Sequence, residues 1–294
     1  MGKTDNQATG GNIYDKITKR IIEKLESGVV PRRKPWEGGL PINYESRRPY
    51  SGINLLLLPQ GGEWLTFLQA KAAGGHVKKG EKGTAIYRYG VYSKKDGETG
   101  EEEAKRYLKA YTVFHISQCE NIESKLGETA SPNPDAAPDA WAEKTFKGYV
   151  GRENINLEIL PNSDCAFYNP SADLIRLPSR EKFTGNAEYY CTAFHEAAHS
   201  TGHESRLGRI SKQAAFGSGE YSKEELVAEI AASYLCSIHG LETAGSFENS
   251  AAYIRSWLKK LKNDNKLISQ AASAAQKAAD YIMRQQSGGS GGPL

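Results

Sequence analysis

The chain has 294 residues, 38% of them apolar, and a formal net charge of +3, which gives enough length and apolar content for two domains with separate cores. No run approaches the roughly 18 apolar residues of a membrane span, and the start, MGKTDNQATGGN, lacks a secretory signal's apolar stretch; the expectation is a soluble cytoplasmic protein with no membrane partner. Charge is uneven, with 20 Lys and Arg against 15 Asp and Glu in residues 1–123 and 18 against 20 in the remainder, which assigns any polyanionic partner to the first half.

In chain order, Ile13, Ile17, Ile21 and Leu25 recur every four residues ahead of Gly28, the pattern of an amphipathic helix with a glycine stop. A second helix is predicted over Glu63 to Ala73, ending at Gly74-Gly75. TAIYRYGVY from Thr84 and LKAYTVFHI from Leu108 are predicted strands, separated by the charged, hairpin-like SKKDGETGEEEAKR. The first domain, residues 1–123, is therefore expected to be α+β.

Residues 124–142, SKLGETASPNPDAAPDAWA, are rich in Pro, Ala, Asp and Ser and are expected to be a linker. In the second domain, residues 143–286, CAFYNPSADLIRLP predicts two short strands joined at Asn169-Pro170-Ser171. Three helices follow: one capped by Asn186 and running to about Gly202, one capped by Ser222 and running to about His239, and one near Leu267 to Arg284. The tail 287–294 is predicted to be disordered. The four cysteines, Cys119, Cys165, Cys191 and Cys236, form no Cys-x-x-Cys pair, so buried free thiols are predicted in place of a disulfide framework or a thiolate metal site.

The helix from Asn186 contains His195-Glu196-Ala197-Ala198-His199. Residues four apart share a helix face, so His195 and His199 can hold one zinc ion, and Glu196 can act as general base toward an attacking water. A catalytic zinc ordinarily takes a third protein ligand. The metzincin pattern fails, because its last histidine position is Ser205 and the only methionines are Met1 and Met283. The alternative is a glutamate from a second helix, SKEELVAEIAASYL, where Glu225 and Glu229 share a face and Ala228 and Ala232 would let that helix approach Ala197 and Ala198. A ligand Glu225 with Glu229 orienting a histidine fits one pattern. Ser222-x-x-Glu225 also reads as a capping box, which would leave Glu229 as the ligand. His203 reads as a helix-end residue or a group that supports a ligand from behind, and His239 as a partner of a helix dipole. Tyr189, Tyr190, Tyr221 and Tyr234 are candidates for stabilising a tetrahedral intermediate or for the core.

In the first half, cations alternate with aromatics in three clusters: Arg32, Arg33, Lys34 and Trp36; Tyr44, Arg47, Arg48 and Tyr50; and Lys78, Lys79 and Lys82, beside His76. Cations meet phosphates and rings stack on exposed bases, so the pattern points to single-stranded nucleic acid.

These residues bring the chain close to a known family. Through KPWEGGLPINYESRRPYSGIN, WLTFLQAKAAGGHVKKGEKGT and YTVFHISQCENI in the first half, and FYNPSADLIRLP, FHEAAHSTGHESRLGR and EELVAEIAASYL in the second, it resembles the ArdC-type antirestriction proteins of conjugative plasmids. Plasmid primases are similar to it in the first half. The resemblance implies a single-stranded-DNA-binding domain followed by a zincin-like metallopeptidase domain. It also implies protection of incoming plasmid DNA from host restriction endonucleases, with His195, His199 and Glu225 or Glu229 as metal ligands, a donor set that accepts zinc, manganese or another divalent ion. A host restriction protein is one candidate substrate. A DNA-shielding protein with a structural metal site, or a primase accessory factor, are the alternatives.

Overall fold

The computed structural model describes residues 9–26, 40–95, 102–126, 138–210, 219–241, 259, 261–262 and 264–284. The chain divides into two units. Among the described residues, the first comprises those up to Leu126 and those from 259 to Ser269, and the second comprises the others. The cluster Arg32–Trp36, Gly28 and the tail lie outside the described residues.

In the first unit the four-residue apolar period forms α1 (Thr9–Glu26), which buries Ile17, Ile21 and Leu25. β1 (Pro41–Asn43) precedes the short α2 (Ile53–Leu57). The predicted helix from Glu63 is instead β2 (Gly62–Thr66) followed by α3 (Phe67–Ala72). Tertiary pairing overrides local propensity here: β2 lies between β1 and a later strand, and Trp64 and Leu65 are buried. Thr66 caps α3 through a reciprocal pair with Gln69. The helix ends before Gly74, whose positive φ of 86° suits glycine.

β3 (His76–Val77) pairs with β6 (Cys119–Glu120), while β4 (Thr84–Lys95) and β5 (Glu102–His115) form a long antiparallel ribbon. Both strands run further into the charged segment than predicted. The main sheet has the order β1-β2-β5-β4. Residues late in the chain belong to this first unit: the Thr18 hydroxyl donates to the Asn265 carbonyl (2.7 Å), the Asn265 amide donates to Asp15 (2.5 Å), and Lys262 pairs with Glu26 (3.4 Å).

The expected linker is shorter than its composition suggests. Ser124 and Lys125 are bonded to buried Glu63, and α4 (Pro138–Arg152) begins before Ala142. The second unit then has β7 (Asn156–Leu160), which the sequence reading missed, and the expected pair β8 (Phe167–Asn169) and β9 (Leu174–Pro178). Their order is β7-β9-β8, with β7 parallel and β8 antiparallel to β9. The Asn169 side chain accepts from the N–H groups of Ser171 and Ala172 and so closes the turn at the predicted place.

α5 (Asn186–Ser200), α6 (Gly219–Ile238) and α7 (Leu267–Met283) complete the unit's helices. α7 begins at the boundary between the units. α5 packs along α6, and Ala197, Ala198, Ala228 and Ala232 are all buried. That close approach also overturns one expectation about the cysteines: Cys191 on α5 and Cys236 on α6 have Cα atoms 5.9 Å apart and form a disulfide. Cys165 and Cys119 are free, but neither is buried, since Cys165 is exposed and Cys119 half-buried.

Candidate metal centre

α5 starts where Glu188, in its first turn, accepts hydrogen bonds from the Thr184 N–H (3.0 Å) and hydroxyl (2.6 Å), while Gly185 occupies the cap position without a side-chain bond. The helix buries Tyr189, Tyr190, Ala193, Phe194, Ala197 and Ala198, which fixes its rotation and turns His195 and His199 toward α6. Their Nε2 atoms stand 3.1 Å apart. Glu225 closes a triangle with them, its carboxylate oxygens 3.7 Å from His195 Nε2 and 3.4 Å from His199 Nε2.

Two ligands about 2.0–2.1 Å from a tetrahedral zinc are separated by roughly 3.3 Å. The three observed edges fit a single divalent ion, and all three ligand atoms lie within 4.8 Å of one another. Glu229 is not in this group. The capping-box reading that favoured it placed Ser222 at the helix start, whereas α6 begins three residues earlier, at Gly219.

The surroundings are strongly charged. Burial pushes the Glu196 carboxyl up to about 7; nearby Glu225 adds to this, while His199 and the Tyr168 N–H pull it back. Burial by itself would lower His199, yet Glu224 and Glu225 raise it to about 9. Glu224 is the carboxylate behind the ring, 3.7 Å from His199 Nδ1. Burial favours its neutral form, but His199 and Arg209 outweigh that and hold it below the usual carboxylate range.

Sequence reasoning missed Glu224, Arg206 and Arg209. Arg209 donates to Glu224 (2.7 and 3.1 Å), to the Thr201 hydroxyl (2.9 Å) and to the Ala198 carbonyl (2.9 Å), tying the segment after the motif to α6. Arg206 donates to the Ser200 carbonyl (2.7 Å), to Asp173 (3.0 Å to one oxygen) and to the Tyr168 hydroxyl (3.1 Å). It thus fixes β8 against the end of α5. The only available signal was two arginines closely following His199.

Other candidates fall elsewhere. His203 bonds Ser205 (2.7 Å) and takes no part in the cluster. His239 is not a cation at a helix end. It is buried between Trp141 and Phe194, bonded to Thr145 (2.8 Å) and the Leu235 carbonyl (2.7 Å), and burial lowers it to about 4. Tyr189, Tyr190 and Tyr234 are core residues, and the side chain of Tyr221 lies outside the described residues.

In the first unit, Tyr44 is only 7% exposed, so its burial leaves no stacking face; its hydroxyl donates to the Glu123 carbonyl and Lys125 lies over its ring. The Arg47 guanidinium is held by buried Glu63. Tyr50 is half-buried, while Arg48, Lys79 and Lys82 are exposed. Lys78 donates to the Ser117 carbonyl (2.9 Å), and His76 pairs with Glu120 (3.2 Å).

Residues 11–114 match the family described as the N-terminal domain of anti-restriction factor ArdC, and residues 152–274 match the zincin-like metallopeptidases. The metal-free crystal structure of the antirestriction ArdC protein from plasmid R388 is 37% identical, covers 92% of this chain and 96% of its own, and superposes with a TM-score of 0.74. The chain belongs to the ArdC antirestriction family. The Mn(II)-bound R388 ArdC structure is 35% identical over the same coverage, with a TM-score of 0.72. The uncharacterized protein y4eC of Sinorhizobium fredii is 30% identical, with 95% of this chain and 94% of that protein aligned.

A protein named DNA primase TraC of Escherichia coli is 33% identical over 92% of this chain, but the chain spans only 27% of it. The likeness to primases therefore runs through both units, and is not confined to the first half. Among the described residues, no helix is long and apolar enough to cross a membrane.

Proposed function

We propose that this ArdC-family protein binds single-stranded DNA through its first unit, hydrolyses peptide bonds with its second, and protects incoming conjugative plasmid DNA from restriction. The observation that carries the peptidase reading is the triangle of His195, His199 and Glu225 beside the buried carboxyl of Glu196. The donor set suits zinc and also accepts manganese. When bound, a divalent ion supplies Lewis-acid activation of a water and of the scissile carbonyl.

The chain's own groups do the rest. Glu196, raised to about 7, is tuned to take a proton from the attacking water and return it to the leaving amine. β8 pairs only with β9 among the described residues, so an extended peptide adding to its open edge would run past Glu196 and the three ligands. The Mn(II)-bound state of the R388 relative supports a divalent ion for this chain.

The test is restriction of transferred plasmid in a restricting host, comparing parental protein with Glu196→Gln while following metal content and DNA binding. Lost protection with metal and DNA binding retained supports proteolysis as the function. Full protection by the variant would assign the activity to strand coating and reject the peptidase role.

A further inference from the structure

The main sheet of the first unit has one face on which β4 and β5 place side chains in strict register. Opposite one another are Ile86 and Tyr111, Arg88 and Lys109, and Gly90 and Tyr107. Because side chains alternate across a strand, these six positions share a face, and Tyr87, Tyr89, Leu108 and Ala110 share the other. Near the sheet's centre the first face is covered by Leu58 and Trp64, which pack with Ile86 and Val113 and are flanked by Tyr50 and Tyr111. Beyond Tyr111, Arg88, Lys109 and Tyr107 are exposed.

Three features of this open stretch set it apart from an ordinary solvated surface. First, Arg88 lies directly across from Lys109, an arrangement of like charges that weakens a sheet, and among the described residues neither takes part in a salt bridge. Lys109 Nζ instead lies 5.3 Å from the centre of the Tyr111 ring. Second, Tyr107 faces a glycine, and a Cβ at Gly90 would collide with its ring, so the missing side chain lets the ring lie over the sheet. Third, Tyr107 and Tyr111 are four residues apart on one strand, roughly 13 Å, with the two cations between them. That distance suits about two to four nucleotides of an extended single strand.

We infer that this stripe, Tyr107, Lys109 with Arg88, and Tyr111, is a stacking platform for single-stranded DNA, with the two cations taking backbone phosphates and the rings taking bases. Every base has a π-face, so such a platform is tolerant of sequence. Duplex DNA keeps those faces stacked and gives the tyrosines nothing to meet. The inference deepens the single-strand-binding part of the proposed function and rests on it. It places the contact on the ribbon, with Tyr50 of the 44–50 cluster packed near Tyr111 on the same face.

The experiment is fluorescence-anisotropy titration of a labelled oligothymidylate with the full chain, repeated across salt concentrations. Arg88→Gln/Lys109→Gln removes two phosphate contacts and should flatten the slope of log K against log salt by about 1.4, at about 0.7 per contact. Its thermal stability should equal or exceed the parental value, because the like-charge pair is gone. Tyr107→Ala should weaken binding roughly 5- to 100-fold, and Tyr107→Phe should restore most of it. If Tyr107→Ala does not fold, the charge variant decides alone. Parental binding with unchanged affinity and salt slope in the folded variants overturns the platform and leaves single-strand binding standing. No binding by the parental protein overturns both.

Discussion

Arg47 offers the sharpest separation of a structural role from a DNA contact. Its guanidinium is bonded to Glu63, whose side chain is 0% exposed. Glu63 also accepts from the Ser124 hydroxyl (2.7 Å) and from the Lys125 N–H, 3.1 Å from each of its oxygens. Arg47 further donates to the Lys125 carbonyl (3.1 Å), so the pair stitches the 44–48 turn to the segment leaving the sheet. The substitution to make is Arg47→Asn, because residue 47 has a positive φ of 59° that asparagine tolerates and alanine does not. Breaking a buried ion pair costs about 3–5 kcal/mol; the two remaining donors to Glu63, the Ser124 hydroxyl and the Lys125 N–H, and the partial exposure of Arg47 reduce this to about 2–3 kcal/mol. That corresponds to a fall in Tm on the order of 5–10 °C for a unit of this size. Urea unfolding followed by tryptophan fluorescence should show the loss, with DNA affinity per folded molecule nearly intact. Stability within about 0.5 kcal/mol of parental, accompanied by a large loss of DNA affinity, would refute the structural assignment.

The remaining predictions concern the second unit. Chelator competition should show Glu225→Gln weakening metal binding by more than about 100-fold, and Glu224→Gln by roughly 10- to 100-fold through the loss of a partner for His199; parental affinity in Glu225→Gln would remove it from the ligand set. His239 makes stability depend on pH. Its folded value is about 4 against an ordinary 6.5, so between these values the unfolded chain binds more protons. Its contribution is fully present above pH 6.5 and is lost as pH falls toward 4, by about 3 kcal/mol in all. Urea midpoints measured across that range should fall in the parental protein and change less in His239→Gln; identical profiles would contradict the account.

Much of the site was legible because it is local. A His-x-x-x-His spacing defines a helix face whatever surrounds it, and the four-residue apolar period of α1 did the same for Ile17, Ile21 and Leu25. The glutamate of the candidate cluster was not local. Glu224, Glu225 and Glu229 all lie on α6, and choosing among them required the true helix start at Gly219 and the rotation set by packing against α5. β2 was read as a helix because Trp64 and Leu65 run directly into the real helix α3, and only the strands on either side fix their backbone as extended. The Arg88 and Lys109 pair was invisible for a related reason: a hairpin register brings together residues that lie far apart along the chain.

The stretch from 259 to Ser269, which returns to bond Asp15, Thr18 and Glu26, has a consequence for modularity. A gene cut after residue 130 would release a first half that lacks one of its own pieces. An affinity measured on such a truncate would mix the cost of the missing piece with the behaviour of the DNA-binding surface. The same interleaving makes the two halves poor candidates for separate inheritance or transplantation. The alignments to the longer TraC proteins, which extend over 92% and 96% of this chain, fit a cassette that travels whole.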